Sequence, residues 1–230
     1  SESIPIWRLI RLVAAMATPL VLAILKLALK SKQKHGFFTG FALFPDHPRD
    51  AGHNGHDISV FNNSIFYQAA RTIEQLAGWM GDVATAKTAR KIWQDLQKSF
   101  HHLWDKKRGF WYDSIDSRDL SPRPSYPSHA ILCFSPFSRE LLAGKEEAAA
   151  RFINKELVFE GGIRMYSLLD PSFNGDGNQL GQHYPVGSDL LLLKTGAETG
   201  RQATLKQWLG WIDLLWRQNT IPEGVTVEAE

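Results

Sequence analysis

Between Phe44 and Asp57 the chain sets His47, His53 and His56 among Asp46, Asp50 and Asp57, with two glycines and two prolines shaping the backbone. Imidazoles beside carboxylates can hold a metal or move protons, and polar loops between apolar elements are where function concentrates. The histidine spacings match no strong zinc pattern and no pair stands four apart, so neither metal nor cofactor is expected. A second acidic group, Asp113 and Asp116, follows Phe110-Trp111-Tyr112. Rings beside carboxylates suit a sugar cleft, because C–H faces stack on aromatic rings while hydroxyls need charged acceptors. Trp111 is the candidate platform, with His53 and His56 as candidate substrate contacts. The bland alternative, rings that only cover a helix end, stays open.

A third group lies in the Gly- and Asn-rich stretch from Gly161 to Tyr184. Arg164, Tyr166, Gln182, His183 and Tyr184 there are good readers of hydroxyls and carboxylates, so they are candidate subsite residues. An ordinary turn-forming loop is the competing reading. Asn174, Asp176 and Asn178 sit at calcium-loop offsets, but Pro185 stands where a glutamate is needed.

These groups need elements to position them. Ile65, Phe66, Ala69, Ala70, Ile73, Leu76 and Ala77 recur every three or four residues and predict a helix with one apolar stripe. Gly81 is placed to end it as a C′ glycine, and Asp82 to cap the next helix. Ala86, Ala89, Ile92, Trp93, Leu96, Phe100, Leu103 and Trp104 give that second helix a similar stripe. The two are therefore antiparallel neighbours across a minimal turn. From Ser114 to Pro127 the polar, Pro-rich sequence reads as a loop. Ser128 starts a helix that Pro136 breaks and Ser138 restarts through Leu142. Lys145 to Leu157 is a further amphipathic helix, and a last pair is expected over Val186–Thr195 and Gln202–Gln218.

The Met80-Gly81-Asp82 turn, the Ala-rich second helix and the exit Trp104-Asp105-Lys106-Lys107-Arg108-Gly109-Phe110-Trp111 resemble the repeating unit of the six-hairpin, or (α/α)6 toroid, glycosidases. Gly162 to Ser167, Asp170-Pro171 and Gly181 to Pro185, followed by a further helix pair, resemble a later hairpin of the same enzymes. The resemblance implies an all-α fold of antiparallel hairpins arranged as a toroid or part of one, with short β segments in the loops. Residues 1–230 would form a single domain: apolar helices over 1–35, the His/Asp loop over 36–57, the hairpin over 58–113 and further helix pairs over 128–230. About four pairs are visible, fewer than a whole toroid needs, so a partner chain or oligomer is one way to complete it.

The resemblance also implies chemistry. Glycosidic hydrolysis needs a protonated carboxyl to donate to the leaving oxygen and an ionised one to activate water or attack the anomeric carbon. Asp46, Asp57 and Asp113 are candidates, and Glu223, in Pro222-Glu223-Gly224, stands where such enzymes place a general base. Asp57 has a structural alternative as the cap of the helix that follows it.

Composition narrows the classes. The 26 basic and 24 acidic residues are interspersed and leave a formal charge of +2, without the basic stripe of a nucleic-acid binder. A single cysteine, Cys133, cannot make an internal disulfide, so no compartment is indicated. Ile6 to Leu29 is strongly apolar, but its uncharged run is short for a bilayer and Thr18-Pro19 interrupts it. Two buried helices, Ile6 to Ala17 and Pro19 to about Lys34, are the preferred reading over a membrane anchor or signal. A polysaccharide lyase built from Tyr166, Arg164, His183, Tyr184 and Asn63, and a non-catalytic sugar- or protein-binding scaffold, remain alternatives to hydrolysis.

Overall fold

The computed structural model describes residues 23, 25–26, 29–39, 57–123, 126, 139–159, 162–163, 167, 169, 182–183, 217 and 225–226. Its centre is the expected hairpin. Helix α1 is Val60–Met80 and helix α2 is Val83–Ser99. Gly81 between them takes a φ of 77° and returns its N–H to the last turn of α1, and the Asp82 carboxylate accepts from the Thr85 N–H at 3.0 Å. Both punctuation marks are as the sequence predicts.

The buried face of α1 is rotated from the expected stripe. Asn63, Ser64, Tyr67, Ala70 and Ala77 are buried, Phe66 and Ile73 are half-buried, and Ile65 and Ala69 face outward. Two polar residues can lie inside because their groups are satisfied. The Asn63 side chain accepts from Phe38 N–H at 2.9 Å and donates to the carbonyls of Phe38 and Ser59, while the Ser64 hydroxyl donates to the Val60 carbonyl. Asn63 thus ties α1 to the segment before the His/Asp loop. In that segment the helix expected to about Lys34 stops at Leu29, and Lys32 pairs with Phe38 across a turn that Gly36 closes at φ 92°.

Helix α2 buries Ala89, Ile92 and Leu96 as predicted. It ends at Ser99, and a 3-10 turn, Phe100–Leu103, passes into strand β2, Trp104–Asp105, which pairs antiparallel with β3, Phe110–Trp111. The stretch read as a loop holds two strands instead, β4, Ser114–Asp116, and β5, Pro122–Arg123. With β1, Asp57–Ser59, they form an antiparallel sheet in the order β1-β4-β5. The strands are too short for alternation to show in sequence, yet Ile58 and Ile115 pair in register and are both fully buried.

Beyond this lie α3, Arg139–Leu142, and α4, Glu146–Phe152, which continues as a π-turn over Ile153–Leu157. Ala149, Phe152, Ile153 and Leu157 join the same core as Tyr67, Leu96, Phe110 and Trp111. Strand β6, Val158–Phe159, pairs with β7, Gly162–Ile163, and β8, Gln182–His183, pairs with β9, Val225–Thr226. The helices expected over Ile6–Ala17 and Ser128–Pro136, and the last helix pair except Arg217, lie outside the described residues.

Candidate active site

Register places the acids. Asp57 is opposite Asp116 and Ser59 opposite Ser114, while Ser114 is also opposite Arg123. Paired residues in an antiparallel sheet project to one face, so Asp57, Ser59, Ser114, Asp116 and Arg123 share a polar face and Ile58 and Ile115 the apolar one. Asp57 is 1% exposed and Asp116 4%.

A guanidinium joins the two acids. Arg123 Nη2 lies 3.2 Å from Asp57 Oδ1 and 3.6 Å from Asp116 Oδ2. Arg118 grips Asp116 as a fork, Nε to Oδ1 at 2.9 Å and Nη2 to Oδ2 at 2.5 Å, and its backbone N–H adds a third bond at 2.8 Å. These hydrogen bonds from Arg118 hold the Asp116 carboxyl well below the usual carboxylate range. Asp116 is therefore an anion at neutral pH and a weak base, suited to holding the two guanidiniums and not to moving protons.

Asp57 does not cap α1. The cap is Ser59, whose hydroxyl accepts from Asn62 N–H, because Asp57 is drawn back onto β1 by its pairing with β4 and Arg123. Asp113 is fully buried, and its carbonyl accepts the Val60 N–H at 2.8 Å. Asp57 and Asp113 thus flank the point where β1 turns into α1, one before it in the chain and one pinned to it by a backbone bond.

The sequence reading gave Asp105, Tyr126 and Arg123 no role. Asp105 is buried, and its carboxylate accepts the Tyr126 hydroxyl at 2.7 Å and the N–H groups of Lys107 and Arg108. Burial works against its charge, but these hydrogen bonds outweigh it and the carboxyl is held below its ordinary value. Burial and then Asp105 push the Tyr126 phenol up. The available signal was the Trp104-Asp105-x-x-x-Gly109 spacing, in which the acid precedes a tight turn. Arg123 carried no signal, since its partners lie 7 and 66 positions away.

Trp111 is fully buried, edge-on to Trp104 at 4.7 Å between ring centroids and packed on Phe110 at 5.6 Å. The structure gives it a place in the core. Asp46, His53, His56, Arg164, Tyr166, Tyr184 and Glu223 lie outside the described residues. The backbone pairing of β8 with β9 sets Gln182 opposite Thr226 and His183 opposite Val225, against a strand that begins two positions after Glu223. Among the described residues no group of three His, Cys, Asp or Glu side chains is arranged to hold a metal, and no helix is long and apolar enough to cross a membrane.

Residues 32–178, more than half of the chain, match the model of the family described as the mannosylglycerate hydrolase MGH1-like glycoside hydrolase domain. No curated protein sequence matches. Among solved structures, a sialidase superposes with a TM-score of 0.72 at 16% identity, over 91% of this chain and 20% of that one. The mannosylglycerate hydrolase of Thermus thermophilus, in complex with Tris, gives 0.54 at 17% identity, over 70% of this chain and 38% of that one. A family 78 rhamnosidase of Bacillus sp. GL1 gives 0.60 at 15% identity, over 90% and 19%. The chain spans well under half the length of each of these. The likenesses establish the fold as the all-α architecture of antiparallel hairpins found in (α/α)6 toroids.

Proposed function

The chain belongs to the mannosylglycerate hydrolase MGH1-like glycoside hydrolase family, and from that membership we propose that it forms part of the catalytic body of a glycosidase. Its substrate is an oligo- or polysaccharide, and a pair of carboxylates at the rim of the hairpins hydrolyses an O-glycosyl bond. The observation that carries this reading is the pairing of Asp57 with Asp116 on one face of the sheet at the head of α1, with Arg123 bridging them and Asp113 joined to the start of α1 through its backbone carbonyl.

Each acid suits a different task. Asp116, held ionised by Arg118, keeps Arg123 in place and so orients Asp57. One catalytic carboxylate is then Asp57 or Asp113, and its counterpart comes from Asp46 or Glu223. The β8–β9 pairing supports Glu223, because Gln182 and His183 run beside the strand that follows it. In hydrolysis one carboxyl protonates the leaving oxygen, and the other takes a proton from water as it attacks the anomeric carbon or attacks that carbon itself.

The test is release of new reducing ends by the wild type and by the Asp46→Asn, Asp57→Asn, Asp113→Asn and Glu223→Gln variants, with thermal unfolding checked alongside. Two of the four should lower kcat by about 10²- to 10⁴-fold while remaining folded. Wild-type turnover in all four overturns the proposal. An unsaturated, ultraviolet-absorbing product in place of new reducing ends would assign the cleavage to a lyase.

A further inference from the structure

The β2–β3 hairpin and α4 enclose a groove of about 360 Å3 that the carboxylate chemistry does not use. Its lining includes Lys106, Lys107, Arg108, Arg151 and Lys155, opposed by one acid, Glu156. Five cations against one anion is a local excess of four, in a chain whose whole formal charge is +2.

The groove is built by packing. Asp105 Oδ1 accepts the N–H groups of Lys107 and Arg108 at 2.8 and 3.1 Å, and the Gly109 N–H returns to the Asp105 carbonyl at 2.8 Å, which fixes the turn that carries three of the cations. Phe110 stacks on Phe152 with ring centroids 4.6 Å apart and planes 9° from parallel, and so sets the hairpin against α4, next to Arg151 and Lys155. Lys155 pairs with Glu156 at 3.0 Å, and Arg151 reaches Glu147 at 3.7 Å across exposed surface. Lys106, Lys107 and Arg108 are exposed and, among the described residues, take part in no ion pair.

A second basic groove, of about 550 Å3, is lined by Lys34 and Lys98 among others, but there Asp95 takes up Lys32 at 2.6 Å and Lys91 at 3.2 Å. That one acid meets two of the four lysines in the lining and leaves a local excess of three. The hairpin groove carries the larger excess, with three of its cations on one fixed turn, and β2 leaves the same end of α2 at which β1 enters α1.

We propose that this groove binds an anionic polysaccharide, a glycan chain bearing carboxylate or sulfate groups, beside the catalytic rim. Cations supplied by two separate elements suit charges spaced along a polymer. The one ring in the lining, Phe152, is buried against Phe110, which leaves no platform for stacking nucleic-acid bases. The choice of a saccharide as carrier of the charge rests on the glycosidase reading.

The experiment measures binding of the full chain to dextran sulfate and to uncharged dextran at low ionic strength, without turnover. Dextran sulfate should bind and dextran should not. Added salt should weaken the complex, since exposed charges are screened over about 10 Å at 0.1 M. The triple variant Lys106→Glu, Lys107→Glu, Arg108→Glu should lose about tenfold or more in affinity, while Lys34→Glu, Lys98→Glu keeps it within about twofold. All five side chains are exposed, and circular dichroism checks that both variants fold. Unchanged binding by the triple variant overturns the proposal, as does equal loss in the two variants, which is what a diffuse basic surface gives. Tighter binding of a single-stranded oligonucleotide of equal charge overturns it too. Because no cleavage is read, inactive carboxylate variants leave this result standing, and a failure here leaves the carboxylate assignments untouched.

Discussion

Asp116 carries one of the strongest electrostatic commitments among the described residues, and its consequence is a pH dependence of stability. Its folded carboxyl, gripped by Arg118, gives up its proton more readily than the unfolded one. Such a group adds stability that is present above the unfolded value, about pH 4, and is lost as pH falls through the lower folded value. Asp105, despite the opposing cost of burial, acts in the same sense through Tyr126 and two backbone N–H groups, and Asp95 does so through Lys32 and Lys91. The urea midpoint is expected to stay nearly level from about pH 8 to 5 and to fall steeply below about pH 4. The Asp116→Asn variant should show a shallower acid limb, and an unaltered one would mean that Arg118 does not hold this acid in solution. Tyr67 works at the other extreme, pushed up to about 12 mainly by burial and then by Glu140, so its contribution is fully present below its ordinary value of 10.0 and is lost as pH rises from there through about 12.

At the scale of elements, the legible parts were those whose signal is local. Gly81 and Asp82 declare a helix end and a helix start within two positions, and the α2 stripe repeats often enough to fix its face. The sheet β1-β4-β5 was not legible, because each strand has two or three residues and the reason for pairing, Arg123 reaching Asp57, spans 66 positions. The α1 face was misjudged for a related reason. Counting apolar residues assigns Ile65 and Ala69 inward, whereas Asn63 and Ser64 are buried because backbone carbonyls happen to meet them. The candidate site divides in the same way: Asp57 and Asp113 are candidates the sequence offers, but Arg123 and the Asp105–Tyr126 bond depend on packing. Two glycines with nearly equal φ separate local from tertiary demands. Gly81 at 77° has nothing within 4 Å of an added Cβ, while at Gly109, φ 75°, that atom would meet Ala148 Cβ at 3.1 Å. Gly81→Ala should cost about 1–2 kcal/mol, the strain of a left-handed alanine alone. Gly109→Ala should cost more, since the hairpin must also move off α4. Urea unfolding of the pair measures the difference, and equal losses would show that the hairpin is not pressed against the helix.

For the molecule as a whole, the question is whether the acid-bearing rim is an appendage or part of the core. One cluster of buried side chains runs from Tyr67, Ile92 and Leu96 in the hairpin through Phe100 and Leu103 to Phe110, Trp111 and Ile115 in the strands, and on to Phe152 and Leu157. A core shared in this way makes the carboxylate face as rigid as the helices beneath it, which is what a site that must hold acids in register requires. It also ties the two regions together in unfolding. Phe110→Ala, in the strands, and Leu96→Ala, in α2, both empty fully or nearly fully enclosed positions. Each should cost about 3–5 kcal/mol. Each should also shift a single transition, with near-ultraviolet circular dichroism, to which Trp104 and Trp111 contribute among the eight tryptophans, coinciding with the far-ultraviolet signal of the helices. If Phe110→Ala instead split the melt, with the aromatic signal lost first and the helices persisting, the strands would be a separately stable layer, and the helices could not be what keeps the carboxylate face rigid.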